Sequence, residues 1–234
     1  MNPWYRFRGS IPGWDRAFLF ITRWIMERLI KSNLLKADLI EIDKQFQSGG
    51  IKGMTRIILL KHSFLTISNV VDFENTIRTV YRHHRGLSEI YKNSEDEYLF
   101  VKYLRNKFIG HIQNELLTKA IEWKPEIRYI FDKVDNPDVM YVLNLWVLET
   151  AINTYVKEDE ARTHYIFESE TDLMYPPDME RFLLFLAKVI KSAIDYLDAL
   201  GVALSSDLAI QDNTEVNLDY WMVAGKTEFQ RIKK

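Results

Sequence analysis

The sequence predicts a mainly α fold, an up-and-down helical bundle, and three observations carry that expectation. Apolar residues recur at helical spacing over long stretches, as in Phe182, Phe185, Leu186, Val189, Ile190, Ile194 and Leu197. Glycine and proline are scarce, nine and six in 234 residues, so few positions interrupt a helix. Hydrophobic residues make up 47% and charged residues 27%, the balance of a chain that buries a core rather than of a disordered one. One stretch departs from the pattern. Thr163-His164-Tyr165-Ile166-Phe167 is rich in β-formers, so the plan leaves room for a small β-hairpin insertion around 150–170.

The elements follow in order within a single domain spanning 1–234. Residues 1–14 form an aromatic N-terminal arm with Trp4, Tyr5, Phe7 and Trp14. Asp15 can cap a helix running to about Ile30. Ser32 or Asn33 can start a second, stopped by Ser48-Gly49-Gly50. Residues 51–91 are long and periodic, with Gly86 placed to end or bend the helix. Asn93-Ser94 reads as a turn and cap, followed by Glu95, Asp96 and Glu97 in a first turn, where the helix dipole favours acids. A helix then carries Tyr98 through Ile121, and Pro125 marks its end. Asn136-Pro137-Asp138 is a turn, 141–156 fits helix or strand, and Lys157-Glu158-Asp159-Glu160 reads as a solvated loop tip. Pro176-Pro177-Asp178 opens a strong helix, Met179 to Leu200, ending at Gly201. Residues 205–234 form a polar C-terminal tail with a late aromatic pair, Tyr220-Trp221.

Bulk properties exclude several classes. The net charge is −2, so no global positive field advertises a nucleic-acid binder and any RNA site is a local patch. With no cysteine there is no thiol nucleophile, disulfide or thiolate metal site, which suits a cytoplasmic protein. Residues 17–30 are apolar, but Arg23, Glu27 and Arg28 interrupt a run already too short to span a membrane. An amphipathic helix without membrane association is the expectation there. Ser48-Gly49-Gly50-Ile51-Lys52-Gly53 lacks the Gly-Lys-Ser/Thr ending of a phosphate loop. The acids Asp38, Glu41, Asp43, Glu149 and Glu158 lack the paired Glu-x-x-His spacing of a di-iron bundle. No metal or other cofactor is expected.

The chemistry concentrates in Leu104-Arg105-Asn106-Lys107-Phe108-Ile109-Gly110-His111. An arginine can hold a phosphate, and an imidazole can move a proton near neutral pH. Arg56 to His62 and Arg78 to His83 or His84 have comparable spacing, but only Arg105 is followed by a polar amide. On a straight helix Leu104, Phe108, Ile112 and Leu116 form an apolar stripe, and Lys107, His111, Asn114 and Glu115 a polar one. Arg105 and His111 would then stand about 120° apart around the axis and roughly 9 Å along it. They are awkward partners within one chain, whereas two such helices facing each other would bring four groups into one cleft. Gly110 costs about 1 kcal/mol in a helix interior, which close approach of a second backbone would explain.

This segment resembles the signature of HEPN domains, an arginine, a polar residue and a histidine four to six residues on. The resemblance implies a helical domain that homodimerises around a composite site and cleaves RNA without a metal. In it, Arg105 binds the scissile phosphate, His111 is general acid or base, and Asn106 positions the phosphate or orients His111. Lys107 and Asn114 add substrate contacts from the same polar face. The resemblance also implies a toxin-like or defence role and an antitoxin-like protein partner. A non-catalytic helical module that binds RNA, a nucleotide or a protein partner is the alternative. Elsewhere, Arg78, Arg82, His83, His84 and Arg85 form a basic cluster that fits a solvated helix face or an RNA-steering patch. His62 reads as a packed or half-exposed residue, and His164 with Glu168 is too loosely spaced for a ligand set.

Overall fold

The computed structural model describes residues 13–110, 112–157 and 164–208. Among them are seven α-helices: α1 Gly13–Gln47, α2 Gly53–Ile77, α3 Arg85–Lys92, α4 Glu95–Leu104, α5 Asn114–Trp123, α6 Pro137–Asn153 and α7 Pro176–Asp207. Most of the arm, the acidic loop tip and most of the tail lie outside the described residues.

Helix α2 is the hub. Ile57, Leu60, Phe64, Ile67, Val70, Val71 and Phe73 are all buried, so it has little solvent face. It packs on α1, α4, α6 and α7. The two longest helices, α1 and α7, run antiparallel along each other. The Ser32 hydroxyl donates to the Leu197 carbonyl at 3.2 Å, and Lys36 pairs with Asp198 at 2.7 Å. Farther along, Phe46 near the end of α1 shares a groove with Met179 and Leu183 near the start of α7. Between α4, α6 and α7 the rings of Phe100, Tyr155, Phe167 and Phe185 interlock at centroid distances of 5.0 to 5.9 Å.

Several expected boundaries hold, while the turn expected at Asn136-Pro137-Asp138 is the capped start of α6. Gly49 adopts φ +66° just past α1, a left-handed stop that glycine takes without a Cβ clash. Asn136 caps α6 by accepting from the Asp138 and Val139 amides, with Pro137 at the first helical position. Glu95, Asp96 and Glu97 occupy the first turn of α4. Pro125 follows α5 and opens a short 3-10 turn, Pro125–Tyr129.

Other boundaries differ. No break occurs at Ser32, because its hydroxyl bonds across to α7 rather than capping a helix start. In 51–91 the break falls at a 3-10 turn, Arg78–Arg82, and Gly86 lies inside α3. Ser94 does not cap α4 with its side chain. It is buried and accepts from the Ser192 hydroxyl at 2.8 Å. Residues 141–153 are helical. The hairpin around 150–170 is reduced, among the described residues, to one antiparallel bridge between Val156 and His164. Helix α7 continues through Gly201, since Ala203 and Leu204 beyond it are still buried in the core.

The largest difference falls on the motif. Instead of one helix from Tyr98 to Ile121, α4 ends at Leu104, a π-helical turn occupies Arg105–Gly110, and α5 starts at Asn114. The straight-helix geometry of Arg105 and His111 therefore does not apply. The apolar stripe is broken as well: Leu104, Phe108 and Leu116 are buried, but Ile112 is 51% exposed.

Candidate functional site

The π-turn continues α4 and packs against α2 and α6. Phe108 anchors it: its ring is buried, with the Lys61 ammonium 4.7 Å from the ring centroid. Lys61 is held there by Asn144 on α6 at 2.9 Å, and burial lowers its pKa from the ordinary lysine value. With its core side fixed, the turn carries Asn106 and Gly110 on its exposed side and Arg105 half-buried.

A π-turn spaces its hydrogen bonds five residues apart, one more than an α-turn. The residue one turn beyond Arg105 is thus Gly110 rather than Ile109. The Arg105 side chain folds over that glycine. A Cβ there would stand 3.2 Å from Arg105 Nη1 and 3.6 Å from Cζ. Nη1 donates to Asn106 Oδ1 at 3.0 Å, while the buried Nε has no partner. The same nitrogen is unpaired in Arg28 and Arg181, so this feature does not set Arg105 apart. An oxyanion that draws the guanidinium outward gains charge-assisted hydrogen bonds that the resting pose lacks.

The structure thus brings Arg105, Asn106 and Gly110 together. Within the chain, the group that approaches Gly110 is the Arg105 side chain. Lys107 is half-buried and turned toward Tyr103 and Gln113. It donates to Gln113 Oε1 and lies 5.8 Å from the Tyr103 ring centroid. Asn114 is exposed as the first residue of α5, its carbonyl accepting from the Thr118 hydroxyl. The polar stripe through Lys107, Asn114 and Glu115 does not lie on one continuous helix. His111 lies outside the described residues.

In the basic cluster, Arg78 makes a two-pronged bond to the buried Glu74, and His84 meets Asp207 at 3.1 Å. Arg82, His83 and Arg85 are exposed. His62 is exposed rather than packed.

A second polar region had no sequence motif. A cavity of roughly 670 Å³ lies between α5, the end of α6 and residues 164–172, with Trp123, Lys124, Glu149, Asn153, Thr154 and His164 among its lining. Lys124 and the buried Glu149 pair at 2.8 Å, and the Leu173 amide also donates to Glu149 at 3.0 Å. Burial pushes the Glu149 carboxyl up despite those partners. Burial opposes the Lys124 charge, but the hydrogen bond and charge of Glu149 outweigh it, and its pKa rises. Asn153 is locked by bonds to both the amide and the carbonyl of Thr171, each 2.9 Å. These residues come from 119–124, 149–156 and 164–172, and only Glu149, an acid amid the apolar residues of α6, and His164 stood out in the sequence.

No family model, curated protein or solved structure matches this chain.

Proposed function

We propose that this chain is a metal-independent endoribonuclease of HEPN type, acting as a homodimer. One observation carries the reading: the Arg105 guanidinium on a π-turn, folded over Gly110 and bonded to Asn106. Irregular π-turns inside helices concentrate at functional sites, and this one sets a phosphate-binding group beside a polar amide at the surface. The substrate supplies the nucleophile. His111 takes the proton of a ribose 2′-OH as it attacks the adjacent phosphorus. The 5′-oxygen leaves and takes a proton in turn, and the product is a 2′,3′-cyclic phosphate. Arg105 binds the non-bridging oxygens and offsets the charge they gain. Lys107 and Asn114 extend the contact along the flanking backbone.

For the homodimer, exposed apolar side chains on the elements that flank the motif in sequence are available to a second copy: Leu99 on α4, Ile112 before α5, and Leu117 and Ile121 on α5. A second copy would cover them and bring two motifs into one cleft. A toxin-like or defence role, an antitoxin-like partner and a cytoplasmic location belong to the same proposal. No described helix is long and apolar enough to cross a membrane. A second reading, a module that binds RNA, a nucleotide or a protein without turnover, is favoured by the polar cavity beside α5.

The deciding experiment incubates purified protein with mixed-sequence RNA in EDTA, wild type beside Arg105→Ala and His111→Ala. Cleavage by wild type alone, leaving 2′,3′-cyclic ends, is the expected result. Cleavage that survives both substitutions would sink the mechanism, and no cleavage by any would leave the binding module.

A further inference from the structure

We infer that the polar cavity between α5, α6 and residues 164–172 is a subsite for one unpaired nucleobase, preferentially one bearing an exocyclic amine. Its size is in the range of small-ligand sites, roughly 670 Å³. Trp123 stands at it with 46% of its surface exposed, a flat face available for stacking. The electrostatics then choose between base and phosphate. Lys124 is neutralised by Glu149 at 2.8 Å, and Lys119 by Glu122 at 2.6 Å. Glu170 and Asp172 remain as carboxylates on the lining. A phosphate would meet net negative charge there, whereas the amino groups of adenine and cytosine would meet acceptors. Among the described residues, the His, Asp and Glu side chains do not form a group that could hold a metal ion.

The cavity is linked to the last turn of α4, just before the π-turn. Thr154 on its lining bonds the Tyr103 hydroxyl at 3.0 Å, and the Lys107 ammonium lies 5.8 Å from the centroid of that ring. Tyr103 in turn packs on Tyr155 with ring centroids 4.8 Å apart. The inference rests on the ribonuclease reading only for RNA as the source of the base.

The test uses the full chain and fluorescein-labelled 2′-O-methyl oligonucleotides, which lack the attacking hydroxyl, read by fluorescence anisotropy. One strand alternates adenine and cytosine and the other is all uracil. The adenine–cytosine strand should bind more tightly. Trp123→Ala should weaken it by at least about fivefold, the loss of one base–aromatic stack, while Trp123→Phe keeps most of the affinity. Glu170→Ala, at an exposed residue with little bearing on folding, removes one acceptor and should narrow the preference over uracil, and it carries the test if Trp123→Ala lowers the melting temperature. Competition by adenosine or cytidine separates a site that takes free nucleosides from one that needs the strand. Equal binding of both strands, affinity unmoved by Trp123→Ala, a base preference unmoved by Glu170→Ala, or no binding of either strand by wild type would overturn the inference. Because the strands cannot be cleaved, this result is independent of turnover: a protein that cleaves RNA can fail here, and one that does not can still pass.

Discussion

At Gly110 a methyl group would stand 3.2 Å from Arg105 Nη1, and that contact separates stability from function at a single residue. Alanine favours a helical interior over glycine by about 1 kcal/mol, and the group it would crowd is the far end of a flexible side chain. Gly110→Ala is therefore expected to leave the melting temperature unchanged or raise it. It should also push the guanidinium off its seat over the turn and away from Asn106. Misplacing a positioning group by about an ångström can cost on the order of a hundredfold in rate, so RNA cleavage should fall at least about tenfold. Thermal denaturation and initial cleavage rates, measured on the same preparation, test this. Full activity in a normally folded Gly110→Ala protein would mean that the seat over Gly110 is not where Arg105 works.

Among elements, the junction of α5 and α6 holds an ion pair that pH can address. Lys124 after α5 reaches the buried Glu149 on α6, and its pKa is raised above the ordinary value of 10.5. A raised lysine stabilises the fold fully below its unfolded pKa and loses that contribution as pH climbs through the folded one. Glu149 works in the same direction, at lower pH. Its raised pKa means that ionisation inside the fold costs stability, and this cost sets in as pH rises through the carboxylate range. Removing one partner of a buried pair costs about 3–5 kcal/mol, and the partial exposure of Lys124 reduces that to about 1–3 kcal/mol. Lys124→Met should be less stable than wild type by that amount at pH 7, and the gap should close as pH passes 10.5. Urea titrations across the range read it directly, and a gap independent of pH would assign the loss to packing. The same elements show what the sequence made legible. Gly49, Asn136-Pro137, Pro125 and Pro176-Pro177 mark boundaries by local backbone rules, and the structure places helix ends at all of them. The π-turn left no such mark, because Leu104, Phe108 and Leu116 keep helical spacing across it and the extra residue shows only in three dimensions. Ser32 carried a cap-like signal but serves an interhelical bond to Leu197, a contact 165 positions away that local reading cannot see. The cavity was equally out of reach, since Trp123, Asn153 and Asp172 meet only once α5, α6 and the 164–172 segment have packed.

At the scale of the whole molecule, the proposed dimer makes a prediction that folding and binding measurements alone do not. If the site is composite, Arg105 of one protomer works with His111 of the other, and each single variant lacks one half. Arg105→Ala homodimers have histidines without arginines, and His111→Ala homodimers the reverse. Mixing the two and allowing subunits to exchange creates heterodimers in which one Arg105 faces one His111 across the interface. Two inactive proteins should then recover part of the wild-type cleavage, with the fraction growing as exchange proceeds. A site contained within one chain gives no such rescue, because neither protomer of the heterodimer carries both groups. Exchange depends on the exposed apolar side chains that the second copy covers, so Leu117→Glu provides the control. Leu117 is 37% exposed and lies on α5 beside the motif. A charge buried in a subunit interface without a partner is expensive, whereas on a free surface it costs little. Leu117→Glu should therefore fold normally, sediment as a monomer, cleave poorly and abolish the rescue when built into both partners. Rescue that persists with monomeric partners would contradict the composite site, and a wild type that sediments as a monomer while cleaving RNA would remove the need for a dimer altogether.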